Sequence, residues 1–139
     1  MTIITQELRL NTRGHTDVQD ITLSVSQIVQ DSQLNSGIVT IFCPGSTGGL
    51  TTIEYEHGVI TDLKEVLDTL APPDRDYLHH QRWGDDNGHS HIRAALFGPS
   101  LVIPFSDRQL TLGTWQQIVF MDFDTRQRNR RLIVQVMGE

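Results

Sequence analysis

The chain has 139 residues, 37% of them hydrophobic, with 17 acidic against 11 basic side chains, a formal net charge of -6 and a single cysteine, Cys43. That length suits one domain, residues 1–139, with a core large enough to stand without crosslinks, and a lone cysteine excludes an internal disulfide. The acidic balance argues against a general nucleic-acid surface. The absence of any apolar run near the ~20 residues of a membrane span, and of a charged-then-apolar leader, leads to an expectation of a cytoplasmic protein with no membrane partner.

In chain order, Ile3 to Leu10 alternates apolar Ile4, Leu8 and Leu10 with polar neighbours and reads as a first strand, ended by turn chemistry over Asn11 to Gly14. Thr16 or Asp17 then caps a helix whose apolar positions Val18, Ile21, Val25, Ile28 and Val29 recur at helical spacing. Asn35, Ser36 and Gly37 stop it, and Ile38 to Cys43 is a short β-branched run suited to a buried strand. Pro44 to Gly49 reads as a tight loop, and Thr51 to Tyr55 resumes strand character. Thr61 or Asp62 caps a second helix with Leu63, Val66, Leu67 and Leu70 on one face, ended by Pro72 and Pro73.

Ile92 to Phe97 reads as a further short helix with Gly98 as its stop. Leu101 to Phe105 and Gln109 to Leu112 flank a polar Ser106-Asp107-Arg108 turn as a hairpin, and Trp115 to Phe123 and Leu132 to Met137 are the last strands. Strand, helix, two strands, helix and then mainly strands favours an α+β fold, a mostly antiparallel sheet with two main helices.

Between the second helix and Ile92, the stretch Tyr77 to His91 holds four of the six histidines together with Asp85, Asp86 and Trp83. Histidine is the commonest transition-metal ligand and the side chain that titrates near neutral pH, so clustering it on a polar connection points to metal binding or proton transfer. His89 and His91 are two apart, and on an extended segment both would face one ion. A third imidazole from His79 or His80 and a water would complete an open zinc site, with Asp85 and Asp86 orienting ring nitrogens. On a helix the two would diverge.

Ser46 and Thr47, in the Pro44–Gly49 loop, offer hydroxyls and backbone donors to phosphate or carboxylate oxygens, although the loop lacks the lysine of a Walker sequence. Arg126, Arg128, Arg130 and Arg131 put four of the eleven cations within six residues, either a small anion-binding patch or a solvated strand end. Trp115 could wall a pocket and Gln116 orient a ligand. Cys43 at the end of an apolar strand reads as packing.

Five motifs together, Tyr77-Leu78-His79, Asp86-Asn87-Gly88-His89-Ser90-His91, Gly98-Pro99-Ser100 with Ile103-Pro104, Gly113-Thr114-Trp115-Gln116 and the terminal Gly138-Glu139, make nearly the whole chain resemble the YjbQ-type family of secondary thiamine-phosphate synthases. The resemblance implies a compact α+β homotrimer with pockets between subunits, metal bound through these histidines, and a weak thiamine-phosphate synthase activity. The resulting expectation is a metal-dependent enzyme acting on a phosphorylated small molecule. Its metal ligands are His79, His89 and His91, and the metal is zinc, or magnesium for a diphosphate substrate. Asp86 and Gln116 serve the chemistry, and Ser46, Thr47, Trp115 and Arg126 or Arg128 hold the substrate. A non-catalytic metal- or metabolite-binding homotrimer is the alternative. Two departures stand out. Where many members read His-Thr-Thr-Ala, this chain reads Gly45-Ser46-Thr47-Gly48, and the Asp-Gly-Pro-Arg motif becomes Asp124-Thr125-Arg126-Gln127-Arg128, which leaves both arginines as candidates.

Overall fold

The computed structural model describes all 139 residues, Met1–Glu139. In chain order the elements are β1 (Thr2–Thr12), β2 (Asp17–Asp20), α1 (Thr22–Asp31), β3 (Gly37–Phe42), β4 (Gly48–Ile53), α2 (His57–Leu70), α3 (Leu78–Trp83), α4 (Gly88–Phe97), β5 (Ser100–Ser106), β6 (Gln109–Leu110), β7 (Gln117–Asp122) and β8 (Arg128–Gly138). Two antiparallel sheets result, one of five strands in the order β1-β8-β3-β5-β6 and one of three in the order β2-β7-β4. The fold is α+β.

Strand alternation explains the layering. On β7, Ile118 and Phe120 face a core shared with Val39 and Ile41 of β3, Leu132, Val134 and Val136 of β8, and Val25 and Val29 of α1. Val119 and Met121 face the other way, into a smaller core with Leu67 of α2 and Ala94 of α4. The three-stranded sheet is therefore covered on both faces, by the larger sheet and α1 on one side and by α2 and α4 on the other. This is why β7 is an unbroken apolar run and not an alternating one. The outer face of the five-stranded sheet carries the opposite set of side chains, among them exposed Ile3, Phe42 and Val102.

Several boundaries depart from the sequence reading for local reasons. Asp17 to Asp20 pairs with Val119 to Asp122 as a strand, so the first helix begins only at Thr22, whose N–H donates to Asp20 at 2.9 Å; neither Thr16 nor Asp17 caps it. The second helix begins at His57, capped by Glu56, whose carboxylate accepts the Gly58 and Val59 N–H groups at 2.8 and 2.9 Å. Those bonds hold the Glu56 carboxyl below its ordinary pKa. Thr61 lies within that helix, its hydroxyl donating back to His57 O at 2.8 Å. Gly48 and Gly49 belong to β4, which shortens the loop before it. The largest departure is the histidine-rich stretch, which forms α3 and extends the helix expected over Ile92 to Phe97 back to Gly88 as α4, so that the helices number four.

Candidate functional site

Helical geometry sorts the four histidines onto two faces. Consecutive residues His79 and His80 on α3, and His89 and His91 on α4, cannot share a direction at 100° per residue, so the two helices pair their histidines crosswise. The expectation that His89 and His91 lie on an extended segment and grip one ion is corrected: α4 turns them apart.

On one face, His79 and His91 meet edge to face with ring centroids 4.6 Å apart. The bonds each ring makes select its tautomer. His91 Nδ1 lies 3.1 Å from the Ser46 carbonyl and must carry the proton to donate there, which leaves the Nε2 lone pair free. His79 Nε2 lies 3.1 Å from Asn87 Oδ1 and 3.3 Å from Asp85 Oδ1, which places its proton on Nε2 and its lone pair on Nδ1. A carbonyl or carboxylate behind each imidazole is the arrangement that orients metal-ligating histidines. No group of three or more His, Cys, Asp or Glu side chains is positioned to hold a metal ion, so this chain supplies two imidazoles and no third such donor. The adjoining loop carries Gly45 where the resemblance would put a histidine.

On the other face, His80 and His89 line a cleft of about 590 Å³ together with His15, Tyr77, Asp86 and Thr125. His80 Nδ1 bonds the Asp85 carbonyl and lies 3.0 Å from Asp86 Oδ1; the carbonyl, then the nearby aspartates, push its pKa up. His89 is only 4% exposed and its Nδ1 has no hydrogen-bond partner. Burial, then the Arg93 and His15 charges, push its pKa down, so it is neutral at neutral pH. Arg93 is tied to the Ala71 carbonyl, Thr16 Oγ1 and Asp68 at 3.0, 2.8 and 2.9 Å, which pins α4 to α2 and to the segment before β2. Gly88 allows the approach, since a Cβ there would lie 2.6 Å from the Cβ of Tyr77.

The remaining candidates divide by accessibility. Thr47 is buried, receiving Arg130 Nη2 at 2.7 Å and donating to Asp124 at 3.2 Å, so its hydroxyl is already committed. Ser46 is exposed and contributes its carbonyl to His91. The arginine cluster is split by strand alternation. Arg130 shares the inward parity of Leu132 and binds Asp122 through Nε and Nη2 at 2.7 and 2.9 Å, whereas Arg131 faces outward to Glu7 at 2.9 Å. Arg128 pairs with Asp124 at 2.6 Å, and Arg126 is exposed on the turn before β8. Burial opposes the charge of Asp122, but bonds from Arg130, Thr12 and the Asp124 N–H outweigh it and hold its pKa below the ordinary value. Trp115 is 73% exposed on the β6–β7 connection, and Gln116 accepts from Gly113 N at 3.0 Å and donates to Thr52 Oγ1 at 3.1 Å. Asp86 faces His80 and not the His79–His91 pair.

His15 escaped the sequence reading. The signal available was its place after Gly14 in a turn, and the structure holds Gly14, His15 and Thr16 at φ of 75°, 53° and 62°, a left-handed run of which only the first is glycine.

Residues 6–139 match the family model described as UPF0047 protein YjbQ-like. The chain belongs to the UPF0047 (YjbQ-like) family. Among UPF0047 proteins, one from Methanothermobacter thermautotrophicus is 37% identical over all of this chain and 95% of its own length. Another, from Archaeoglobus fulgidus, is 36% identical over 94% of this chain and 99% of its own. The fold superimposes on a crystal structure of a YbjQ-like protein of unknown function from Sulfolobus solfataricus with a TM-score of 0.93 at 30% identity, covering 99% of each chain. A YjbQ/UPF0047 protein from Clostridium acetobutylicum gives a TM-score of 0.86 at 34% identity, over 95% of this chain and 99% of that one.

Proposed function

We propose that this UPF0047 protein binds a phosphorylated small molecule beside the His79–His91 pair and, with a divalent metal, converts it slowly in a thiamine-phosphate-synthase-like transfer. The observation that carries the reading is the orientation of the two imidazoles: each has one nitrogen fixed by a carbonyl or carboxylate and the other left with a free lone pair. His79 and His91 would hold the metal, zinc or magnesium, with substrate and water oxygens completing the two-imidazole set. When bound, the metal would offset negative charge developing on a diphosphate leaving group. The chain's own part is to orient the rings through Ser46, Asn87 and Asp85, with the exposed Arg126 as the candidate anion partner. His89 and Thr47 take no part, because one lies on the other helix face and the other is bonded to Arg130 and Asp124.

The absence of a third donor beside the pair favours a second reading, a metal- or metabolite-binding protein without turnover. In either reading the assembly is a homotrimer, supported by the family resemblance and by the exposed Ile3, Phe42 and Val102 on the outer sheet face. The compartment is the cytoplasm, consistent with one free, buried cysteine. No helix is long and apolar enough to cross a membrane.

The deciding experiment is elemental analysis of tag-free protein, followed by incubation with the thiazole phosphate and pyrimidine diphosphate precursors and a divalent metal. The expected result is bound metal that His79→Ala and His91→Ala both remove, with slow formation of thiamine phosphate that falls with it. Metal that persists in both variants sinks the site; metal without product selects the second reading.

A further inference from the structure

We propose that the cleft on the opposite face of α3 and α4 binds a small organic cation carrying ammonium groups. The idea is independent of the His79–His91 reading, because it uses the other two histidines of the stretch. Three observations carry it.

The first is charge. Asp74, Asp76 and Asp86 line the cleft; His80 pairs with Asp86 at 3.0 Å, and the remaining two carboxylates face one arginine, Arg75, whose guanidinium lies 5.2 Å from the centroid of the Tyr77 ring. A free anion would meet three carboxylates, whereas a cation is drawn in and concentrated there.

The second is an unpartnered imidazole. His89 lines the same cleft, 4% exposed, with Nδ1 bonded to nothing. A neutral imidazole offers one ring nitrogen as an acceptor, and the protein leaves this one without a donor, for a ligand N–H to supply. Asp86 at the cleft is held by His80 at 3.0 Å, so its carboxylate is in place before a ligand arrives.

The third is the wall formed by His15. It sits in the left-handed run Gly14–Thr16, anchored by its own N–H to the Asp124 carbonyl at 2.7 Å. Strained backbone of this kind persists where the surroundings over-determine it, so the ring is held in place at the cleft.

Size and shape then choose among cations. The volume of about 590 Å³ is that of a small-molecule pocket, and only one of its lining residues is hydrophobic. No three His, Cys, Asp or Glu groups converge on a point, so a bare metal ion lacks a coordination set. A flexible diamine or triamine can instead spread its ammonium groups between His89 at the buried end and Asp74 and Asp76 at the exposed rim.

Titration calorimetry with spermidine and with putrescine, in buffer of low ionic strength, tests this on the intact protein. Saturable binding is expected. It should weaken at least about tenfold in Asp74→Asn/Asp76→Asn and in His89→Phe, and remain unchanged in His79→Ala and in Asp62→Asn/Glu65→Gln on α2. Asp74 and Asp76 are exposed, so their double variant keeps the test open if His89→Phe does not fold. Absence of binding overturns the proposal. So does binding lost equally in the α2 variant, which would mean diffuse attraction to an acidic surface. Zinc binding that Asp74→Asn/Asp76→Asn abolishes, with no amine binding, overturns it in favour of a metal.

Discussion

Arg130 and Asp122 show how one pair of residues can govern a whole region. Both are at least nine-tenths buried, joined by two hydrogen bonds and extended by Thr12, Thr47 and Asp124. Removing one partner of such a pair strands the other charge, at a cost of about 3–5 kcal/mol. Asp122→Asn is therefore expected to lower the unfolding free energy, read from the midpoint and slope of a urea titration, by an amount in that range. A pH series supplies a second reading of the same network. Asp122 and Asp124 both have folded pKa values below the ordinary 3.8, so their contribution is full above that value and is lost as pH falls through the folded values. The wild type should lose stability steeply under acid, and Asp122→Asn should show a shallower slope there. A parallel slope in the variant would mean that other carboxylates dominate.

At the scale of elements, the two helices of the histidine stretch depend on a close approach and α2 on a single cap. Gly88→Ala would drive a methyl to 2.6 Å from Tyr77, and such overpacking costs about 1–3 kcal/mol. The expected outcome is faster hydrogen exchange across α3 and the start of α4, with the sheets unaffected. Glu56→Ala removes the acceptor for two N–H groups of α2, at about 1 kcal/mol, and a chemical denaturation curve would measure it. Helix positions were legible where the apolar period faced one core, as with Val25 and Val29 in α1. The short helix read over Ile92 to Phe97 is the second part of α4, but α3 and the first turn of α4 were missed, because α3 has no buried residue and α4 buries His89, Ser90 and Arg93 in place of an apolar stripe.

For the whole molecule, the open question is what covers the outer face of the five-stranded sheet. If three copies assemble there, light scattering should give three times the chain mass of 15.7 kDa, and Phe42→Glu/Val102→Glu should reduce it to one copy while the far-ultraviolet circular dichroism is retained. A single-copy mass for the wild type would rule out the trimer.

Composition, strand alternation and turn residues determined the fold class, most of the strands and the concentration of histidines into one stretch, because these are local patterns that any packing must respect. Which histidines work together was decided only by the tertiary structure. Residues two apart diverge once the segment coils, and α3 then lies against α4 so that His79 finds His91 and His80 shares a cleft with His89 and the distant His15. The fate of the arginines was settled in the same way. Strand alternation sends the adjacent Arg130 and Arg131 to opposite faces, and the packing of β8 decides which goes where, one into the core with Asp122 and one to solvent with Glu7.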